Sequence, residues 1–220
     1  MFRAILFTQW KLSRWYLGPM ALAAFTLPVV SVQQAGIGFG VFTDRFATSA
    51  VLSTIEFYSV GYPVLAALVA VIMAATAWAA DEKGRHVYAL SLPVPRWHYV
   101  LLRFGAGAFL LLAPVLGLAA GAILASAAAT IPPGMEAHPV ALTVRFALAL
   151  GLAYALIFAL TAAGEQVGRY LAAVVGLLVI LHIVLAMFQV GDLIVWVGEA
   201  LLLWPGPLEI FTGRWMLIDV

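Results

Sequence analysis

The sequence predicts an all-α polytopic membrane protein of five to six transmembrane helices, preceded by an N-terminal interfacial helix. Three observations carry that expectation. Of the 220 residues, 65% are hydrophobic and only 10% charged, and the mean hydropathy is +1.09. A soluble domain holds roughly 45–50% apolar and about 25% charged residues, so the solvent for this chain is lipid. Apolar runs long enough to cross a bilayer recur along the chain, and charges cluster densely in one place only, residues 81–98. The formal net charge of +1 gives no reason to expect a nucleic-acid partner. With no cysteine, disulfides, thiolate metal sites and Cys nucleophiles are excluded together.

Residues 1–220 read as a single transmembrane domain without a soluble module or linker. Residues 1–16 mix Arg3, Lys11 and Arg14 with Phe2, Phe7, Trp10 and Trp15. They lack the uninterrupted apolar core of a cleavable signal, and basic residues beside Trp describe a helix lying in the headgroup layer, the alternative being the positively charged flank of the first span. The first span is expected at 16–32, with Pro19 and Pro28 inside it. Intramembrane prolines imply neighbouring helices that satisfy the freed carbonyls. Residues 33–57 are more polar and Gly-broken, and Thr43-Asp44 suits the cap of a short amphipathic helix.

Further spans are expected at 58–80, 99–129, 142–163 and 170–190. The stretch 99–129 exceeds the roughly 20 residues a crossing needs. It must tilt or project, and Pro114 is placed to kink it. Pro132-Pro133-Gly134 marks a turn. Residues 193–204 are apolar but too short to cross, and Pro205-Gly206-Pro207 interrupts them. The segment 191–220 is therefore expected as a short re-entrant or interfacial helix rather than a full sixth span.

Lys and Arg placement sets orientation. Arg3, Lys11 and Arg14 precede the first span, Lys83, Arg85 and Arg96 follow the second, and Arg169 follows the fourth; the opposite loops offer Arg45 and Arg145. The N-terminus and the 81–98 loop are accordingly expected in the cytoplasm. Arg103 and Arg145 lie near span ends, where long side chains snorkel to the interface, and both read as interface anchors.

Few polar residues lie at membrane depth. His182 sits mid-span, where a haem or metal ligand would stand, but one histidine is not a site, and it reads as a packed side chain bonded to a carbonyl. No His-Glu-x-x-His pair, Gly-x-Ser-x-Gly elbow or Gly-x-x-x-x-Gly-Lys loop occurs, so neither an intramembrane hydrolase nor phosphate-loop ATP binding is expected. Gly105, Gly107, Gly117, Gly121, Gly151 and Gly164 allow close helix approach, within the bundle or against a second copy.

The 81–98 loop remains. Asp81 and Glu82 follow a span; Gly84 permits a sharp change of direction. Val87, Tyr88, Leu90 and Leu92 read as a short, partly apolar helix, ended by Pro93-Val94-Pro95. Arg96 and Trp97 mark the return to the interface. Such a stiff charged knob suits a groove on a soluble partner, although an ordinary amphipathic loop has the same pattern.

The segment resembles the cytoplasmic loop of type-2 ABC transporter permeases, which reads Glu-x-x-Gly-Thr-x-Glu-x-Leu and then Pro-Val/Ile-Ser-Arg. Glu82, Gly84, Leu90, Pro93-Val94-Pro95-Arg96 and Arg103 match in order, while Arg85 stands where Thr is usual and Val87 where a second acid is usual. The surrounding plan of 1–190 is also similar, whereas the family usually has six spans. The resemblance implies a catalytically silent permease subunit of an ABC exporter that pairs with a second permease, identical or not. Each such subunit docks on a cytoplasmic ATPase, which binds ATP and Mg, through the loop as a coupling helix. It implies docking contacts at Glu82, Arg85, Tyr88 and Leu90, stiffened by Gly84, Pro93 and Pro95 and closed by Arg96. The expected location is a bacterial inner membrane, with no cofactor on this chain. A haem- or quinone-binding redox subunit and a non-transporting assembly subunit are the alternatives.

Overall fold

A computed structural model describes residues 1–35, 47–83, 95–131, 134–163, 193–203, 206, 208–212 and 215–219, with scattered helical positions between 167 and 182. The chain is mostly helical. Its helices are α1 (Phe2–Gln34), α2 (Ala47–Ser59), α3 (Gly61–Lys83), α4 (Arg96–Leu110), α5 (Leu112–Ala128), α6 (Pro139–Ala162) and α7 (Leu193–Leu202). Two short strands, β1 (Glu136–Ala137) and β2 (Ile218–Asp219), pair antiparallel. Among the described residues four helical stretches are long and apolar enough to cross a membrane: Phe2–Gln34, Leu52–Trp78, Trp97–Ala128 and Pro139–Ala162. This is an integral membrane protein. The expected fifth span at 170–190 is described only in part, and its described positions are helical.

Contacts divide the chain into two units, Met1–Ile157 with Arg214–Val220, and Phe158–Gly213. In the first, α1 runs parallel to α4 and α5. Gly107 lies against Gln9, Gly117 against Ala21 and Gly121 against Phe25, so numbers rise together on both sides. A β-carbon on Gly117 would stand 2.5 Å from the Ala21 carbonyl oxygen, and one on Gly121 would fall on that of Phe25. Lipid tails give helices no hydrophobic reason to associate, so backbone approach through small residues supplies the dispersion contacts instead. Of the glycines expected to do this, Gly107, Gly117 and Gly121 do so within the bundle. Gly105 and Gly151 are not tightly packed, and Gly164 lies outside the described residues.

The N-terminal segment departs from expectation. Residues 1–16 are no separate interfacial helix but the first half of α1, an unbroken helix of 33 residues, about 50 Å long. Its inner face carries Gln9 and Ser13, both buried. That face packs against α4, where Gln9 meets Gly107. Prolines act unequally. Val60 and Leu111 interrupt the second and third spans, each three residues before a proline, Pro63 and Pro114. A proline removes one helical hydrogen bond and crowds the carbonyl four residues back, and both helices yield there. The stretch 99–129 is therefore interrupted at Leu111, one turn before the proline expected to act on it. Pro19 and Pro28 leave α1 continuous.

The end of the bundle away from the 81–98 loop is closed by a strap. Residues 215–219 return to it, with Glu136 opposite Asp219 and Ala137 opposite Ile218, and the His138 amide donates to the Leu217 carbonyl at 2.8 Å. Trp215, 2% exposed, stacks on Tyr62 at 6.2 Å between centroids, with the Arg145 guanidinium 5.0 Å from its own ring centre. Arg145 is thus half-buried over an aromatic ring rather than a free interface anchor. Within the C-terminal segment, expected as a short re-entrant or interfacial helix, α7 is a short helix, and a 3-10 turn at Glu209–Phe211 and β2 follow it. In the second unit the chain after α7 folds back on itself, with the Leu208 amide bonded to the Leu201 carbonyl at 2.9 Å and the Thr212 hydroxyl donating to the Leu202 carbonyl at 2.7 Å. Because α6 leads away from β1 and β2 pairs with β1, the chain makes a net return between them.

Gly121→Val is expected to lower stability in detergent by about 1–3 kcal/mol through overpacking, while Gly151→Ala stays within about 0.5 kcal/mol; SDS unfolding curves separate the two. In this cysteine-free chain, Glu136→Cys with Asp219→Cys should form an intramolecular disulfide, since paired strand positions match disulfide spacing. A gel shift on reduction reads it, and an absent shift would exclude the strap.

Candidate functional site

The 81–98 loop joins α3 to α4. Of the residues expected to dock, Glu82 lies in the last turn of α3, Pro95 precedes α4 as its N-cap with φ −57° and ψ 137°, and Arg96 is the first residue of α4. Pro95 supplies the extended backbone that ends the loop and a fixed φ that suits a helix start. Gly84, Arg85, Tyr88, Leu90 and Pro93 lie outside the described residues. Trp97 and His98 follow, both exposed, and stack at 5.3 Å with 16° between their planes.

One to two turns further along α4 the surroundings change. Arg103 is only 5% exposed. Its Nη1 donates to the Tyr99 hydroxyl at 2.8 Å, a side chain one turn earlier on the same helix. The guanidinium carbon lies 5.3 Å from the centres of both the Tyr99 ring and the Trp78 ring of α3. A buried cation is costly unless bonded, and aromatic faces offset this through their quadrupole, by about 2 kcal/mol when desolvated. Arginine suits this better than lysine because its planar, weakly hydrated fork can stack and donate at once. Arg103 was expected to snorkel as an anchor; instead it ties α3 to α4. The side chain is enclosed between the two helices, 5% exposed, rather than open to headgroups.

A second layer stands beside it. Phe104 stacks on Tyr154 of α6 at 5.3 Å, and the Tyr154 hydroxyl donates to the Phe104 carbonyl at 3.4 Å. That hydroxyl and the Gln9 amide of α1 close over Gly107: a β-carbon there would fall on the tyrosine oxygen and stand 2.8 Å from Gln9 Nε2. The buried Ser13 hydroxyl bonds the Gln9 carbonyl at 2.8 Å. Three helices thus converge on α4 at the loop end: α3 through Trp78, α6 through Tyr154, and α1 through Gln9, with Arg103 and Gly107 on α4 itself.

This constellation holds no nucleophile with an adjacent base. Among the described residues no group of three His, Asp or Glu side chains stands together to hold a metal. His182 is a half-buried helical position in the second unit. Chemically, the cluster can bind helices together and pass a displacement between them. The i, i+4 spacing of Tyr99 and Arg103 is the one local signal for this cluster, and the reading of Arg103 as an interface anchor passed over it. Trp78, Tyr154 and Gln9 carry no such signal, because only tertiary packing brings them to α4. No protein-family model, curated protein or solved structure matches this chain.

Arg103→Ala and Trp78→Ala should each destabilise the protein. The double variant is expected to lose less than their sum by about 1–2 kcal/mol, the coupling of a desolvated cation–π pair, in SDS unfolding of the four proteins. Strict additivity would remove the clamp.

Proposed function

We propose that this chain is the membrane permease subunit of an ATP-binding cassette exporter, driven by a separate cytoplasmic ATPase that docks on the 81–98 loop. The observation that carries the reading is the clamp beneath that loop. The loop is the one dense cluster of charge in the chain, and the helices it joins are tied by Arg103 to Trp78 a short way inside. A knob mounted on two free helices would absorb a push by bending. Mounted on two clamped helices, it passes the push on as a rigid-body movement. From α4 the movement has two outlets, Tyr154 on α6 and Gln9 on α1.

In this reading Glu82, Arg85, Tyr88 and Leu90 contact the ATPase, Gly84, Pro93 and Pro95 shape the knob, and Arg96 closes it. ATP and Mg are bound by the partner and not by this chain. The N-terminus and the loop lie on the cytoplasmic side of a bacterial inner membrane. The parallel course of α1 and α4 supports one side for both, and the basic residues support which side. The stretch 170–190 supplies the fifth span, consistent with the net return of the chain to β1. Two such subunits form the pathway.

The test is co-purification with a nucleotide-binding ATPase, followed by its hydrolysis rate in vesicles. Tyr88→Asp and Gly84→Pro should abolish the complex. Arg103→Ala should leave the complex intact but reduce transport-coupled hydrolysis severalfold, because it removes the clamp and not the contact. If Tyr88→Asp and Gly84→Pro both retain complex and coupling, the docking reading fails. A haem absorption band lost with His182→Ala would replace it with a redox subunit.

A further inference from the structure

The outer face of the first four turns of α1 has a chemistry that neither helix packing nor the docking loop uses. Arg3, Phe7, Trp10 and Arg14 recur at helical spacing along one line, and Lys11 and Trp15 stand on the next; all are exposed. Trp15 is 75% exposed, and the Arg14 guanidinium lies 5.5 Å from the centre of its ring. No acidic residue occurs anywhere in α1, so three cations share this face with no counter-charge from their own helix.

Helix register fixes their depth. Ala21 of α1 is level with Gly117 of α5, and Arg14 is seven residues earlier, about 10 Å nearer the loop end. That is level with Leu110. From Leu110 to Ala128, where α5 ends, is about 27 Å, close to the roughly 30 Å thickness of a hydrocarbon layer. No charged residue lies on α1 after Arg14 or between Phe104 and Ala128. Arg14 and Lys11 therefore stand where the hydrocarbon ends and the headgroups begin. Their β-carbons, three residues apart on one helix, are separated by about 5–6 Å, so two cationic side chains reach one phosphodiester, with indole rings on either side at the level where Trp settles in bilayers.

We infer that Lys11 and Arg14, flanked by Trp10 and Trp15 and extended by Arg3, form a binding surface for the headgroup phosphate of anionic phospholipids in the leaflet at the loop end of the bundle. The surface is independent of the transport reading, since it uses neither the loop nor the clamp. An anionic lipid binds here through two charge-assisted contacts to its phosphate, and its net charge is neutralised by a face with no acid to repel it. A zwitterionic lipid presents the same phosphate but brings its own ammonium close to Lys11 and Arg14. The preference is thus for net charge. An acidic protein surface would need the indoles out of the bilayer, which their depth opposes.

The test is native mass spectrometry of the full chain released from micelles with equimolar phosphatidylglycerol and phosphatidylcholine. Wild-type protein should retain phosphatidylglycerol in excess. Lys11→Gln with Arg14→Gln should reduce that excess by about fivefold for each charge removed, while Lys11→Arg with Arg14→Lys preserves it. An equal excess in the neutral pair, or no excess in wild type, overturns the proposal; so does displacement of the lipid by inorganic phosphate, which would mark a soluble-anion site. Should the neutral pair not fold, wild-type protein decides. Raising the salt from low to high concentration should erase the excess by screening, and an excess indifferent to salt refutes an electrostatic headgroup surface.

Discussion

Where Gly117 and Gly121 of α5 meet the carbonyls of Ala21 and Phe25, two helix backbones touch with no side chain between them. In water such an approach would be one packing solution among several, because burial of any apolar side chain draws helices together. In lipid that drive is absent, and helices associate by dispersion and hydrogen bonding alone. The depth of contact then decides which helices pair. The α1–α5 seam sets the parallel course of α1 against α4 and α5. That course in turn brings Gln9 to Gly107 and places the N-terminus at the same end as the charged loop.

From that seam the two ends of the bundle differ in kind. At the loop end, the ties are polar and aromatic and sit inside the bundle: Arg103 between Trp78 and Tyr99, and Tyr154 over Gly107. At the other end, the tie is a strap from far along the chain. It is held by a two-residue ladder and by Trp215 between Tyr62 and Arg145. Both ends use one guanidinium over an indole, but the geometry differs. Arg103 joins two helices directly, whereas Arg145 holds a returning segment onto a helix start.

How much of this was legible in the residues varies by element. The interruption of the long third span at Leu111 was legible, because Pro114 acts on its own helix through a local rule. The shortness of 193–202 was legible from length alone. The interfacial reading of 1–16 failed because its evidence, cations beside Trp, describes only the outer face of α1. The inner face carries Gln9 and Ser13, whose burial depends on α4. Arg103 was misread for the same reason, since an anchor keeps its charged head free and here Trp78 and Tyr99 cover it. The strap left no trace at all: a two-residue ladder has no periodicity, and its partners are about eighty residues apart in sequence.

Composition by itself determined the solvent, the helical character and the placement of charge along the chain. Those follow from single residues and their near neighbours, because a bilayer admits backbone only as internally bonded helix at these lengths. Tertiary structure alone decided which faces of those helices are inside. It made Arg103 a clamp, gave Gly107, Gly117 and Gly121 their neighbours while leaving Gly151 open, and brought residues 215–219 back to β1. In a membrane every helix face is apolar enough to meet either lipid or protein, so hydrophobicity cannot choose between them, and only the fit of one backbone against another does.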